Sequence, residues 1–294
     1  MIVSGSQQAL DITTRVLLDT KDAAWIEEPC YPLVRSILLG SGCRVVPVPV
    51  DGEGLNVAAG VKRARTARAA FVTPSHQYPL GATMSISRRL QLLDWARKAS
   101  AWIIEDDYDS EFRFESMPIP SLQGLDSAAR VIYIGTFSKV LFPSVRMGYL
   151  VIPADLVDRF RSVRIAMDIF PSYLPQEVLT DFMTLGHFGR HIRRMRTLYR
   201  SRRTALVENL RAEFGDSLEI HGSEAGMHLA VTLPDSCSDR EIATRAAAEN
   251  LWLWPLSHCW SNGHARQGLI LGFGNTDEEA MPAAVRHLRR ILAL

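Results

Sequence analysis

Lys139 stands in a run whose residue types suit carbonyl chemistry: Gly135-Thr136-Phe137-Ser138-Lys139-Val140-Leu141-Phe142-Pro143-Ser144-Val145-Arg146. It follows Arg130-Val131-Ile132-Tyr133-Ile134, an apolar stretch that reads as a buried strand. A hydroxyl at Thr136, the amine of Lys139 and a guanidinium at Arg146 therefore collect where that strand ends. A lysine condenses with an aldehyde once it is desolvated or placed beside other cations. Arginine meets phosphate with a planar fork of donors. Together these groups suit a phosphorylated aldehyde. A single lysine is more often a solvated surface residue, so the reading depends on what else reaches the same edge.

Three further segments end in the same way. Ser4-Gly5-Ser6-Gln7-Gln8-Ala9-Leu10 follows a strand-like Met1-Ile2-Val3 and opens an amphipathic helix. Gly5 and Ser6 then lie at its N-terminus, either as a phosphate seat or as a plain N-cap. Ala23-Ala24-Trp25-Ile26-Glu27 reads as a strand before Glu28-Pro29-Cys30-Tyr31-Pro32, and Tyr31 there either stacks on a flat ring or packs under a loop. Ala101-Trp102-Ile103-Ile104 is a strand before Glu105-Asp106-Asp107-Tyr108-Asp109-Ser110-Glu111, an acidic cluster that could hold a cation or remain a solvated turn. His76, in the loop Pro74-Ser75-His76-Gln77-Tyr78-Pro79-Leu80-Gly81, could be a ligand or a base, although a lone loop histidine is more often neither.

The elements needed to place these residues are legible from periodicity. Strands at 43–48 and 69–73, and helices at 33–39 and 85–99, complete an alternation of strand and helix through residue 150. Leu90, Leu93, Trp95 and Ala96 are expected on the buried side of the 85–99 helix. Such alternation implies a mainly parallel sheet with helices on both faces, an α/β fold. Ser6, Tyr31, Asp106 and Lys139 all fall just after strands, at the edge where open α/β sheets bind ligands. After Pro153 the pattern becomes helical over 154–166 and 174–214. The second run carries Arg190, Arg193, Arg194, Arg196, Arg200, Arg202 and Arg203, which read as the solvated face of an amphipathic helix. Strands at 217–220, 227–233, 251–254 and 268–273, a helix capped by Asp239 and a closing helix from Asp277 form a small α+β layer.

Composition bounds the class. The chain has 294 residues, 47% hydrophobic and 22% charged, with a net charge of +1. That is a globular mix, and it offers no bulk charge for nucleic acid. No apolar stretch reaches membrane-spanning length. Cys30, Cys43, Cys237 and Cys259 lack metal-type spacing and read as reduced thiols in a cytoplasmic protein; no metal site is expected. The opening Met1-Ile2-Val3 lies inside a core strand, so the chain is expected to lack an N-terminal part of its first domain.

These runs, with Thr73-Pro74-Ser75-His76-Gln77-Tyr78-Pro79 and Gly226-Met227-His228-Leu229, resemble the fold-type I pyridoxal-phosphate enzymes of the class I/II aminotransferase family. The resemblance is nearest to the aminotransferase-like domain of MocR/GabR-type regulators. It implies a large cofactor-binding domain over 1–160, N-terminally truncated, and a small C-terminal domain over 161–294. It implies that Lys139 forms a Schiff base with pyridoxal phosphate and moves a proton between the substrate Cα and C4′. Asp106 would pair with the ring nitrogen, Tyr108 reach the phenolic oxygen and Tyr31 stack on the ring. Gly5, Ser6, Gln7, Thr136, Ser138 and Arg146 would surround the phosphate. The ligand would be an amino acid or amine, and the assembly a homodimer. The same resemblance allows a transaminase, an effector sensor working through an external aldimine without turnover, or a remnant of a regulator.

Departures from the family pattern concern the substrate. Tyr78 replaces an Asn that ordinary aminotransferases carry, which shifts weight to Tyr108 for the ring oxygen. Arg266 is the one arginine near the strand at 268–273 that could take a substrate carboxylate. The winged helix-turn-helix that precedes this domain in MocR-type regulators is not in this chain.

Overall fold

Residues 1–114, 119–261 and 265–292 are described by the computed structural model. They divide into two units, Met1–Gln77 with Ala82–Asp109 and Pro118–Arg190, and Tyr78–Gly81 with Ser110–Met117 and His191–Leu294. This division falls at 190/191, whereas the sequence places a boundary at 160/161.

The first unit is built on β1 (Ile2–Val3), α1 (Ser6–Leu17), β2 (Ala23–Glu28), α2 (Pro32–Gly40), β3 (Arg44–Asp51), β4 (Gly54–Leu55) and α3 (Val57–Arg63). It continues through β5 (Ala69–Val72), α4 (Ile86–Ala99), β6 (Trp102–Asp107), α5 (Leu122–Leu125), β7 (Val131–Thr136), β8 (Gly148–Val151), α6 (Val157–Asp168) and α7 (Leu174–Thr184). The sheet order is β1-β8-β7-β6-β5-β2-β3-β4. Its middle, from β7 through β3, is parallel. The rims are antiparallel, where β8 pairs with β7 and β1, and β4 with β3.

Alternation along the parallel strands explains the layers. Ala24, Ile26, Phe71 and Ile104 point to one face, where Leu10 and Ile12 of α1, Leu38 of α2 and Phe160 of α6 cover them. Trp25, Ala70, Val72 and Ile103 point to the other, under Val57 of α3 and Leu92 and Trp95 of α4. Strands buried on both faces read as continuous apolar runs, as these do. In α4 the buried apolar positions are Leu92, Trp95 and Ala96, while Leu90 is exposed, so the stripe is rotated from the one read in the sequence.

The chain order switches beside β2. It leaves β2 for β3 on one side and returns as β5 on the other. In open α/β sheets the crevice at the strand carboxyl ends beside such a switch is the ligand position.

The second unit holds most of α8 (His187–Phe214), then β9 (Glu219–His221), β10 (His228–Thr232), α9 (Asp239–Ala248), β11 (Trp254–Pro255), β12 (Gly268–Gly272) and α10 (Met281–Leu292). Its sheet, β11-β12-β10-β9, is antiparallel throughout. The helical run expected over 174–214 is two helices, because the chain breaks at Leu185 and Gly186, where φ is 74°. Ser238, not Asp239, caps α9 by accepting from the Glu241 N–H. The buried Asp239 carboxylate instead accepts from Ser257 N at 2.8 Å, Ser257 Oγ at 2.7 Å and Gly268 N at 3.2 Å.

The arginines of α8 are not one solvated face. Arg196 donates to Glu111 O at 2.9 Å and Arg200 to Phe114 O at 3.1 Å. Arg202 donates to Gly274 O and Arg203 to Ser223 O. These guanidiniums tie loops of their own unit to the helix; Arg200 is exposed even so, as are Arg193 and Arg194.

Candidate functional site

The N-terminus of α1 and the β7–β8 connection meet through glycine. Gly5 precedes α1 with φ 91° and ψ 169°, and no side chain caps the helix there. That backbone is accessible essentially to glycine alone. A Cβ at position 5 would meet Arg146 Nη2 at 3.0 Å, and Arg146 Nη2 donates to Ser4 O at 3.1 Å. Gly148 permits the approach from below, since a Cβ there would meet Gly135 O at 2.9 Å and Gly5 C at 3.2 Å. An exposed guanidinium thus lies at a helix N-terminus whose first N–H groups have no intrahelical acceptor, an arrangement that attracts an anion. Arg146 holds a left-handed backbone at φ 45°, an uncommon state for a non-glycine residue. From behind, Gln8 braces α1 by accepting from Ser4 N at 2.7 Å and donating to Asp168 Oδ2 at 2.8 Å.

Lys139 lies in the turn after β7, exposed, between Ser138 and the buried Val140. Thr136, 7% exposed, ends β7 and accepts from Ser138 N at 3.2 Å. Ser138 Oγ is buried with no hydrogen-bond partner among the described residues.

The acidic cluster sorts by neighbour. Glu105 accepts from Leu122 N at 2.8 Å and Gln123 N at 2.9 Å and faces Arg89 at 3.5 Å, so it anchors α5. Asp107 accepts from Tyr133 Oη at 2.8 Å. Asp109 Oδ2 lies 3.1 Å from His76 Nδ1. Asp106, in register with Ile134 of β7, leaves Oδ1 buried and without a hydrogen-bond partner among the described residues. Burial, then the charges of Asp107 and Asp109, push its carboxyl up to about 7. A buried carboxylate oxygen without a hydrogen-bond partner is costly, and a protonated heterocycle beside it would relieve that cost.

Asp106 and Tyr31 line one small pocket with Glu27 and Thr73. Tyr31 precedes α2 and is half-buried. Its hydroxyl is raised by burial and then by Asp106, and Arg146 opposes the rise, so both charges act on it. Tyr108 donates from Oη to His76 O at 2.9 Å and lies 3.0 Å from His76 Nδ1.

The structure places Gly5, Ser6, Gln7, Tyr31, Asp106, Tyr108, Thr136, Ser138, Lys139 and Arg146 all in the first unit; Asp106 and Thr136 lie within the last two residues of β6 and β7, and the others lie beyond strand ends. Arg266 and Tyr78 belong to the second unit; Arg266 is exposed, and the Tyr78 ring centroid lies 5.3 Å from that of His228. Sequence reasoning missed Glu27 and the pairing of His76 with Tyr108 and Asp109. The nearest signal for His76 was its place in a turn-rich loop at a strand end.

The model of the family described as aminotransferase class I and II matches residues 1–284. The probable rhizopine catabolism regulatory protein MocR of Rhizobium meliloti is 40% identical over 289 residues, 98% of this chain and 58% of that protein. The chain thus spans little more than half the length of that relative. Among solved structures, the Pyrococcus horikoshii kynurenine aminotransferase complexed with PMP superposes with a TM-score of 0.92 at 28% identity, covering 100% of this chain and 74% of that one. The α-aminoadipate aminotransferase of Thermus thermophilus, complexed with N-(5′-phosphopyridoxyl)-L-leucine, gives a TM-score of 0.92 at 28% identity, covering 99% and 76%.

Proposed function

The chain belongs to the class I and II aminotransferase family, and from that premise we propose that its first unit binds pyridoxal phosphate with Lys139 as the point of covalent attachment. The residues present fit this group. Asp106 offers an orphaned buried carboxylate oxygen to a protonated ring nitrogen, and Ser138 offers an orphaned hydroxyl. The space over Gly5, closed by Arg146, is one that a Cβ would fill, and it suits a phosphate. When bound, pyridoxal phosphate supplies an aldehyde that captures amines and a ring that withdraws electrons from the carbon beside them.

In this reading each side chain has a stated task. Lys139 binds the aldehyde carbon and carries the proton. Asp106 holds the proton on the ring nitrogen, because opposite charges within a few ångströms favour both charged forms. Arg146, Ser6, Gln7, Thr136 and Ser138 hold the phosphate. Tyr31 covers one face of the ring, and Tyr108 addresses its phenolic oxygen. The ligand class is an amino acid or amine, the setting cytoplasmic. The observation that carries the reading is Asp106. Adding pyridoxal phosphate to the purified chain is expected to give a visible absorbance that survives dialysis in the wild type and is absent from Lys139→Ala. Equal absorbance in both would refute it.

Two outcomes are open to such a site, turnover to a keto acid or recognition of an amine without turnover. The higher identity to MocR, 40% against 28% for the enzymes, favours a recognition module of the regulator type. Incubation with a panel of amino acids separates them: formation of pyridoxamine phosphate and keto acid marks a transaminase, and a spectral shift alone marks a sensor.

A homodimer is part of the same proposal. Ile169, Phe170 and Tyr173, between α6 and α7, and Leu174, which opens α7, are 66%, 71%, 68% and 72% exposed. An apolar surface of this kind suits a partner, and a second copy meets the family expectation.

A further inference from the structure

Glu27 has no task in the site as described, yet it is 3% exposed at the carboxyl end of β2, beside the switch point, and lines the pocket that holds Asp106 and Tyr31. Its Oε2 accepts from Thr73 Oγ1 at 2.7 Å, Thr73 N at 3.2 Å and Gln77 Nε2 at 3.3 Å. The same Gln77 amide donates to Pro29 O at 2.7 Å. Glu27 therefore joins the end of β2 to the end of β5, and through Gln77 it ties the segment that leads to Tyr31. Its Oε1 is buried with no hydrogen-bond partner among the described residues, as is Asp106 Oδ1.

We propose that Glu27 is a positioning residue for the cofactor, fixing the Tyr31 segment and the loop after β5 so that the ring slot beside Asp106 keeps its width. The proposal rests on pyridoxal-phosphate binding. Its logic is geometric: the adjacent strand ends are held by side-chain acceptors on Glu27, not by ladder bonds, and a slot for a flat ring depends on the spacing of its walls. Burial pushes Glu27 up to about 7, the donors of Thr73 and Gln77 oppose the rise and Asp106 adds to it. Holding a buried acid beside another is a cost that packing alone would not select, since an apolar side chain would fill the space.

The test uses the full chain, titrated with pyridoxal phosphate and followed by the visible circular-dichroism band, which reports an asymmetric, fixed ring. Glu27→Ala is expected to weaken binding by about tenfold or more and to diminish the band. Glu27→Gln, whose amide oxygen still accepts from Thr73, is expected to stay within about threefold of wild type with the band intact. Thr73→Val, which removes the 2.7 Å donor and keeps the acid, should fall between them and decides the matter if the alanine variant does not fold. A wild-type band in Glu27→Ala or Thr73→Val overturns the proposal, as does a Gln variant as impaired as the alanine. A wild-type chain that binds no pyridoxal phosphate overturns the parent reading and this one with it.

Discussion

The guanidinium of Arg146 lies against the α-carbon of Gly5, so close that a Cβ at position 5 would stand 3.0 Å from Nη2. In the proposed reading these residues, far apart in the chain, form one anion seat with the N-terminus of α1 as its floor. Gly5→Ala is expected to cost about 1–3 kcal/mol of stability, because φ 91° with ψ 169° suits glycine. It should also displace Arg146. Arg146→Ala should weaken pyridoxal phosphate by about tenfold or more while leaving unphosphorylated pyridoxal nearly unchanged. Parallel titrations with the two aldehydes check this, and equal losses for both would remove the phosphate role.

Asp106 carries a stability cost that cofactor should offset. Its folded-state carboxyl titrates at about 7 against an ordinary 3.8, raised first by burial. A raised acid favours the protonated folded form, so its contribution is fully present below about pH 4 and is lost as pH rises through about 7. The loss is on the order of 4 kcal/mol at alkaline pH. Cofactor-free Asp106→Asn is therefore expected to melt above wild type at pH 8 and to approach it at pH 4. Thermal melts across that window check the sign. With pyridoxal phosphate bound, the order at pH 8 should reverse.

The arginines of α8 hold loops of the second unit. Arg196→Ala or Arg200→Ala, each removing a donor to a main-chain carbonyl, is expected to destabilise by about 1–3 kcal/mol in urea unfolding. Arg193→Ala and Arg194→Ala, at exposed positions, should stay within about 0.5 kcal/mol of wild type. Effects within about 0.5 kcal/mol at all four positions would restore the solvated-face reading.

The strand ends that carry the proposed site are legible in the sequence. Lys139, Tyr31 and Gly5 each follow a strand and Asp106 lies at the end of one, and apolar runs such as Ala101-Trp102-Ile103-Ile104 mark buried parallel strands well. What stayed hidden depends on pairing between distant loops. Glu27 reads in the sequence only as the end of a strand, because no periodicity tells a carboxylate clasped by Thr73 and Gln77 from one in water. The α8 guanidiniums looked solvated for the same reason: their acceptors are main-chain carbonyls, which have no signature in the sequence. Short α3 and the antiparallel β8, only 7 and 4 residues long, fall below the length at which alternation is informative.

A charge within the apolar surface between α6 and α7 tests assembly. Phe170, 71% exposed, is expected to lie in the contact between copies. Phe170→Glu should shift the chain to the monomer mass in light scattering, since burying an unpaired carboxylate costs several kcal/mol. A wild-type chain that is monomeric at all concentrations would contradict the dimer.

The central claim is that Lys139 binds the cofactor, and the sequence makes the test unambiguous, because its lysines number four: Lys21, Lys62, Lys98 and Lys139. Lys98 is held by Asp94 at 2.7 Å, and Lys62 lies in the last turn of α3. Borohydride reduction of the chain loaded with pyridoxal phosphate, followed by peptide mass mapping, reads the attachment point directly. The expected result is a pyridoxyl adduct on the peptide containing Lys139 and on no other, lost in Lys139→Ala. A stoichiometric adduct on Lys21, Lys62 or Lys98, or none at saturating cofactor, would contradict the account.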